Sequence, residues 1–367
     1  MKTARHSGIE LYKIFAILFV ITHHIVATLT NDNQYIEITN YLINLNEATG
    51  NLQQFICSLL YYGGSLGNTM FFIVTSWFFL ENKEVKKQKI ILMMLDIWVI
   101  SVVIFTISYG EGVNMPIKMQ LRQFFPNTLS NNWYTTCYIL FCLLYPYLNL
   151  IISRINRIKL LRINIFLFSL YFGIGFIVHY AFFPSSIVIW VVMYFGIAYI
   201  KKYLNRLINN IKFNFLMFII GLIGMITVVC LTNALQINRL LHWNENNPFV
   251  FLTALGLFNL LRNINIQNAT INYISKMSLY IYIIHENNII RCYFRPLVWK
   301  WIYRKYGYTY LLMWVFLLVI CTFMISFFLS AFYRKTIQKI TAEICEKSYP
   351  FIRNKFKKIE TILSNIE

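Results

Sequence analysis

The chain has 367 residues, 58% of them hydrophobic and 13% charged, against roughly 45–50% and 25% in an ordinary soluble domain. That balance puts membrane proteins ahead of soluble classes. A net charge of +19 would fit nucleic acid only if Lys and Arg shared one folded face; here they fall in short loops between apolar runs, so no nucleic-acid partner is expected.

Runs of about 20 apolar residues reach across a bilayer as helices. They place spans near Ile9–Thr30, Phe55–Leu80, Ile90–Tyr109, Trp133–Ile152, Ile163–Phe183, Ile187–Ile200, Phe213–Ala234, Phe249–Leu261, Ile274–Ile290 and Leu311–Phe332. The expected fold class is therefore all-α: a polytopic bundle of about ten transmembrane helices. The sixth, eighth and ninth runs are short or polar. The second is over-long and carries Gly63, Gly64 and Gly67, so a bend near those glycines is expected.

Loop charge gives an orientation. Lys2 and Arg5, Lys83 to Lys89, Arg154 to Arg162, Lys201 to Lys212, Arg262 and the segment from Arg334 onward alternate with loops almost free of Lys and Arg. By the positive-inside rule both termini are expected to be cytoplasmic. The loop holding Arg291, Arg295, Lys300, Arg304 and Lys305 dissents: it faces an anionic substrate or headgroup, or the ninth span is wrong. The first run is long enough for a signal anchor and lacks a small-residue cleavage site. Residues 1–333 read as the membrane domain and 334–367 as a basic cytoplasmic tail, either amphipathic on an anionic leaflet or simply solvated.

Seven cysteines without a C-x-x-C pair or a histidine at ligand spacing indicate neither zinc nor a disulfide framework. No metal is expected. No Walker A, G-x-S-x-G or H-E-x-x-H motif is present. The chemistry must then come from ionisable groups inside the spans, where they are costly: Glu10, Lys13, His23, His24, Asp96, His179, His285 and Glu286.

Lys13 and His24 are three turns plus about 20° apart, on one helix face and about 16 Å apart along it. A cation at the mouth and an imidazole farther in suit an anionic cofactor with a reactive end. The alternative is that Lys13 snorkels and His24 bonds a neighbouring helix. His285 falls at a similar depth, either sharing that centre or serving structure. Glu10 is placed for an i,i+3 pair with Lys13. Asp96 can pair with Lys13 or a basic group near Lys89, a structural reading being favoured over a chemical one, and His179 has a structural reading.

Four segments carry a family resemblance. They are Ser7–Lys13 (SGIELYK) with Ile21–His24 (ITHH), Gly67–Ser76 (GNTMFFIVTS), the Trp-led run Asn132–Asn149, and Ile274–His285 (ISKMSLYIYIIH). In this order they resemble the acyltransferase-3 family of bacterial membrane acyltransferases, particularly the stand-alone capsule and O-antigen polysaccharide O-acetyltransferases. Thr75-Ser76 stands where the family has Ser-Gly, and Lys86, Lys87 and Lys89 where arginines are common.

The resemblance implies acetyl-CoA as cytoplasmic donor, with its phosphates near Lys13, Lys86, Lys87 and Lys89. It implies a surface polysaccharide or lipid-linked glycan as acceptor, in the bacterial cytoplasmic membrane, with membrane lipid around the chain and self-association left open. The expected catalytic groups are His24, Lys13 and His285; the expected acceptor contacts are Trp133, Glu286 and Arg291. His24 would act as general base on a sugar hydroxyl or carry the acetyl group as acetyl-imidazole. A flippase or a polymerase of lipid-linked glycan shares the many helices. A transporter often shows internal repeats, and none is evident here; a polymerase usually has a large Arg-rich outer loop, and the outer loops are short.

Overall fold

The structure is a computed structural model that describes residues 6–29, 52–82, 84–128, 132–178, 186–235, 245–307 and 309–364. Every regular element among them is helical: α1 Ser7–Ala27, α2 Leu52–Tyr61, α3 Gly63–Phe79, α4 Lys87–Gly110, α5 Ile117–Phe124, α6 Trp133–Arg154, α7 Arg157–Ile177 with a π segment, α8 Ser186–Tyr203 and α9 Asn205–Ile208. They are followed by α10 Ile211–Leu235, α11 Pro248–Arg262, α12 Ala269–Ser275, α13 Ser278–His285, a π turn at Ile290–Phe294, α14 Arg295–Tyr306, α15 Leu311–Lys335 and α16 Ile337–Ser364.

Seven of these, α1, α4, α6, α7, α8, α10 and α15, are long and apolar enough to cross a membrane. Large apolar side chains such as Trp98 and Ile107 on α4, Ile223 on α10, and Phe316 and Phe328 on α15 point outward. A soluble protein would bury them; a lipid-facing helix needs no such cover, because its backbone bonds are satisfied internally. The expected all-α polytopic class holds.

The expected second, eighth and ninth spans fall on shorter helices. The second run breaks at Tyr62 into α2 and α3, at the glycines, because α3 lies hard against α1. A Cβ on Gly63 would stand 2.2 Å from the Phe19 carbonyl oxygen, and one on Gly67 2.6 Å from that of Ala16. Only glycine permits this backbone approach. The eighth run is the 15-residue α11, started by Pro248 with the Asn247 side chain accepting from the Phe249 N–H. The ninth is split into α12 and α13, and α13 has eight residues.

α1 runs between two cores. Tyr12 and Ala16 pack into one with Phe72, Trp190 and Phe258; Ile17, Ile21 and Ile25 pack into the other with Ile97, Ile281 and Val315. Tyr12 donates to the Ala254 carbonyl at 2.8 Å, pinning α1 to α11. A residue on α1 therefore lies at the seam of the bundle, where a cavity and a charged cluster occur.

Candidate active site

His24 lies in the last turn of α1. Its Nδ1 is 3.3 Å from Glu286 Oε1, and a carboxylate can only accept, so Nδ1 carries the proton and Nε2 is left as a base. Its neighbour His23 is committed elsewhere, with Nδ1 at 2.7 Å from the Tyr61 carbonyl. His285, on the last turn of α13, donates from Nδ1 to the Ile281 carbonyl at 2.7 Å. Its Nε2 is buried with no hydrogen-bond partner among the described residues. The rings of His24 and His285 are 5.7 Å apart.

The basic loop that dissented from the charge rule supplies the frame of this cluster. Arg295 is buried and donates to Glu286 Oε1 at 3.1 Å, to the His285 carbonyl at 2.6 Å and to the His24 carbonyl at 3.3 Å. Carbonyls in the last turns of α1 and α13 form the negative ends of both helices. One guanidinium fork satisfies them and the carboxylate together. Trp299 Nε1 donates to the Ile25 carbonyl at 3.1 Å, fixing α14 to α1 as well. Arg291, partly exposed, comes within 3.8 Å of Glu286 Oε2. Lys300 and Arg304 take no part.

A cavity of about 730 Å³ opens at the other end of the bundle. Lys13, Lys89, Lys276 and Arg334 line it together with Asn68, Tyr134 and Tyr282. Tyr282 stands 5.9 Å from the His285 ring, edge on. A thread of aromatic and imidazole rings therefore runs from the cavity wall to His24. An anionic molecule seated at the lysines could present a reactive end to the histidines.

A family model for an acyltransferase domain, Acyl_transf_3, matches residues 6–332. The chain belongs to the acyltransferase-3 family. Neither a curated protein nor a solved structure matches it. The protein is thus a membrane acyltransferase, which sets aside the flippase and polymerase readings.

Several sequence expectations for the acyltransferase meet at this seam. Lys13 lines the cavity and pairs with Glu10 at 2.6 Å. His24, His285, Glu286 and Arg291 form one cluster. Of the three lysines at the start of α4, Lys89 lines the cavity; Lys86, the residue before the helix, joins it around a smaller one of about 220 Å³, and Lys87 lines neither. Trp133 packs its ring on Tyr134 at 5.7 Å, outside the cavity lining. Asp96 pairs with no lysine but accepts from four neutral donors, Tyr280, Tyr333, Gln338 and Thr341. His179 lies outside the described residues.

Metal-ligating atoms of His24, His285 and Glu286 lie within 4.8 Å of one another. Their surroundings oppose a cation: Glu286 Oε1 is shared by Arg295 and the His24 N–H, and Arg291 adds a second positive charge. The cluster suits developing negative charge instead.

Glu245 was not singled out by sequence, which shows only an acid in a polar loop ahead of Pro248. The fold turns it inward, where Asn68 Nδ2 donates to its Oε1 at 3.2 Å. Burial outweighs that bond and pushes its carboxyl up from the ordinary 4.5 to about 7. The folded protein therefore keeps a proton that the unfolded chain releases, so stability falls as pH rises between about 4.5 and about 7. Thermal midpoints in detergent across that window should show this slope, and Glu245→Gln should flatten it; an equal slope in the variant would remove Glu245 as its source.

Proposed function

We propose that this acyltransferase moves an acetyl group from acetyl-CoA to a hydroxyl of a cell-surface polysaccharide or its lipid-linked precursor, in the bacterial cytoplasmic membrane. The observation that carries the reading is the cavity lined by Lys13, Lys89, Lys276 and Arg334 and also by Tyr282, whose ring lies 5.9 Å from that of His285, itself 5.7 Å from that of His24. Phosphates of the donor would sit at Lys13 and Lys89, with Lys86 and Lys87 outside the cavity attracting them from a distance. The thioester would extend past Tyr134 and Tyr282.

His24 is the better base of the two imidazoles, because 17% of its side chain is accessible while His285 is almost wholly buried. Its Nε2 takes the proton of the sugar hydroxyl as the oxygen attacks the thioester carbonyl. The carbon–oxygen bond forms, the carbon–sulfur bond breaks, and the imidazolium returns the proton to the departing thiolate. Glu286 stabilises the imidazolium from Nδ1, and Arg291 is placed near the developing oxyanion.

The test compares the NMR spectrum of the surface glycan with and without the gene. Loss of O-acetyl signals from a glycan of unchanged length is expected. Unchanged O-acetylation, or loss of the long glycan itself, would overturn the acceptor reading.

A further inference from the structure

The family match ends at residue 332, but the wall of the cavity does not. α15 continues to Lys335, and α16 turns back and packs along α4, where Cys345 Sγ lies 3.6 Å from the Gln88 carbonyl. Asp96, buried in α4, is the anchor. Tyr280 and Tyr333 each donate to it at 2.8 Å, Thr341 at 2.7 Å and Gln338 at 3.0 Å. Three of those four donors lie beyond the matched region. A buried carboxylate with this many donors holds them firmly, since losing them would strand its charge.

The same latch positions a cation. Arg334 Nε donates to Gln338 Oε1 at 3.0 Å, and its guanidinium lies over the Tyr280 ring, 5.7 Å from the centroid. Gln338 also hydrogen-bonds Tyr280. Arg334, Gln338, Tyr280 and Asp96 all line the cavity beside Lys13, Lys89 and Lys276. Among the described residues the hydrogen-bond partners of Arg334 are neutral: Gln338, the Lys276 carbonyl and Met277 Sδ. Its half-buried charge is thus held in place, stacked on an aromatic face and turned to a cavity rimmed by three lysines.

We infer that Arg334 is a phosphate-binding residue of the donor site, held in register by the Asp96 latch, so that α16 forms part of that site and not a tail beside it. This rests on the reading of acetyl-CoA as donor. A guanidinium grips phosphate oxygens in pairs, which the neighbouring lysines cannot, so Arg334 would set the position of the nucleotide while they supply attraction. Lipid headgroups present the same phosphate chemistry, and the experiment separates the two.

Binding would be measured on the full chain in nanodiscs of phosphatidylcholine alone, and again with phosphatidylglycerol. The ligands are acetyl-CoA and S-acetylpantetheine, the same thioester without phosphates. Arg334→Gln should weaken acetyl-CoA by about tenfold, the scale of one charge-assisted hydrogen bond, and leave S-acetylpantetheine unchanged. Arg334→Lys should recover part of the loss, and Thr341→Ala should show a smaller loss in the same direction. Lys89→Ala tests the donor reading separately. If Lys89→Ala weakens acetyl-CoA while Arg334→Gln stays within twofold of the native chain, the inference fails and the donor reading stands. A loss seen only with phosphatidylglycerol assigns Arg334 to headgroups and also overturns it. A native chain that does not bind acetyl-CoA removes both.

Discussion

Replacing His24 by alanine should lower acetyl transfer by about 10²–10⁴-fold, the usual scale of a positioned general base. The reasoning follows from the two ends of its ring. Nδ1 is tied to Glu286 at 3.3 Å, so the proton sits there and Nε2 keeps its lone pair. His23 cannot substitute, because Tyr61 holds its ring, and His285 is too buried to meet a sugar. Glu286→Gln should be impaired in the same direction, since an amide cannot stabilise the imidazolium by charge. The measurement is transfer of labelled acetyl from acetyl-CoA to the glycan in membranes, with protein level matched. Native rates in His24→Ala would exclude this histidine from the reaction, whether as base or as acetyl carrier.

Arg295→Ala should act on the fold itself. The buried guanidinium bonds one carboxylate and two helix-end carbonyls, and removing it leaves the buried Glu286 with the His24 N–H and, as a cation, only the more distant Arg291. Breaking a buried pair by deleting one partner costs about 3–5 kcal/mol. Arg295→Lys should rescue little, because a single ammonium cannot reach three acceptors in the fork geometry. Thermal midpoint and monodisperse recovery in detergent would be compared with Arg304→Ala, an exposed position about two and a half turns along the same helix. A native midpoint in Arg295→Ala would show that the carbonyls and Glu286 do not depend on it.

The contrast between His24 and Asp96 shows how far the sequence could be read. The placement of Lys13 and His24 on one face followed from helical periodicity alone, because both lie on one uninterrupted helix whose phase needs no other element. Asp96 is legible only as a structural carboxylate in a span, with Lys13 or a basic group near Lys89 as available partners. Its real donors come from α13, α15 and α16, and no local pattern says which helix will cross α4 at that level. The same holds for Arg291 and Arg295, which read as loop charges until the π turn and α14 carried them to Glu286.

Composition, run length and the spacing within α1 by themselves determined that the chain is a membrane bundle with a cationic mouth and an imidazole farther along one helix. They did so because the cost of apolar surface in water and the pitch of a helix are local properties. Which carboxylate orients His24, which arginine closes two helix ends and which segment walls the cavity were decided only by tertiary structure. The expense of a buried charge can be offset by a partner on any helix, and the crossing of helices, not the order of residues, selects that partner.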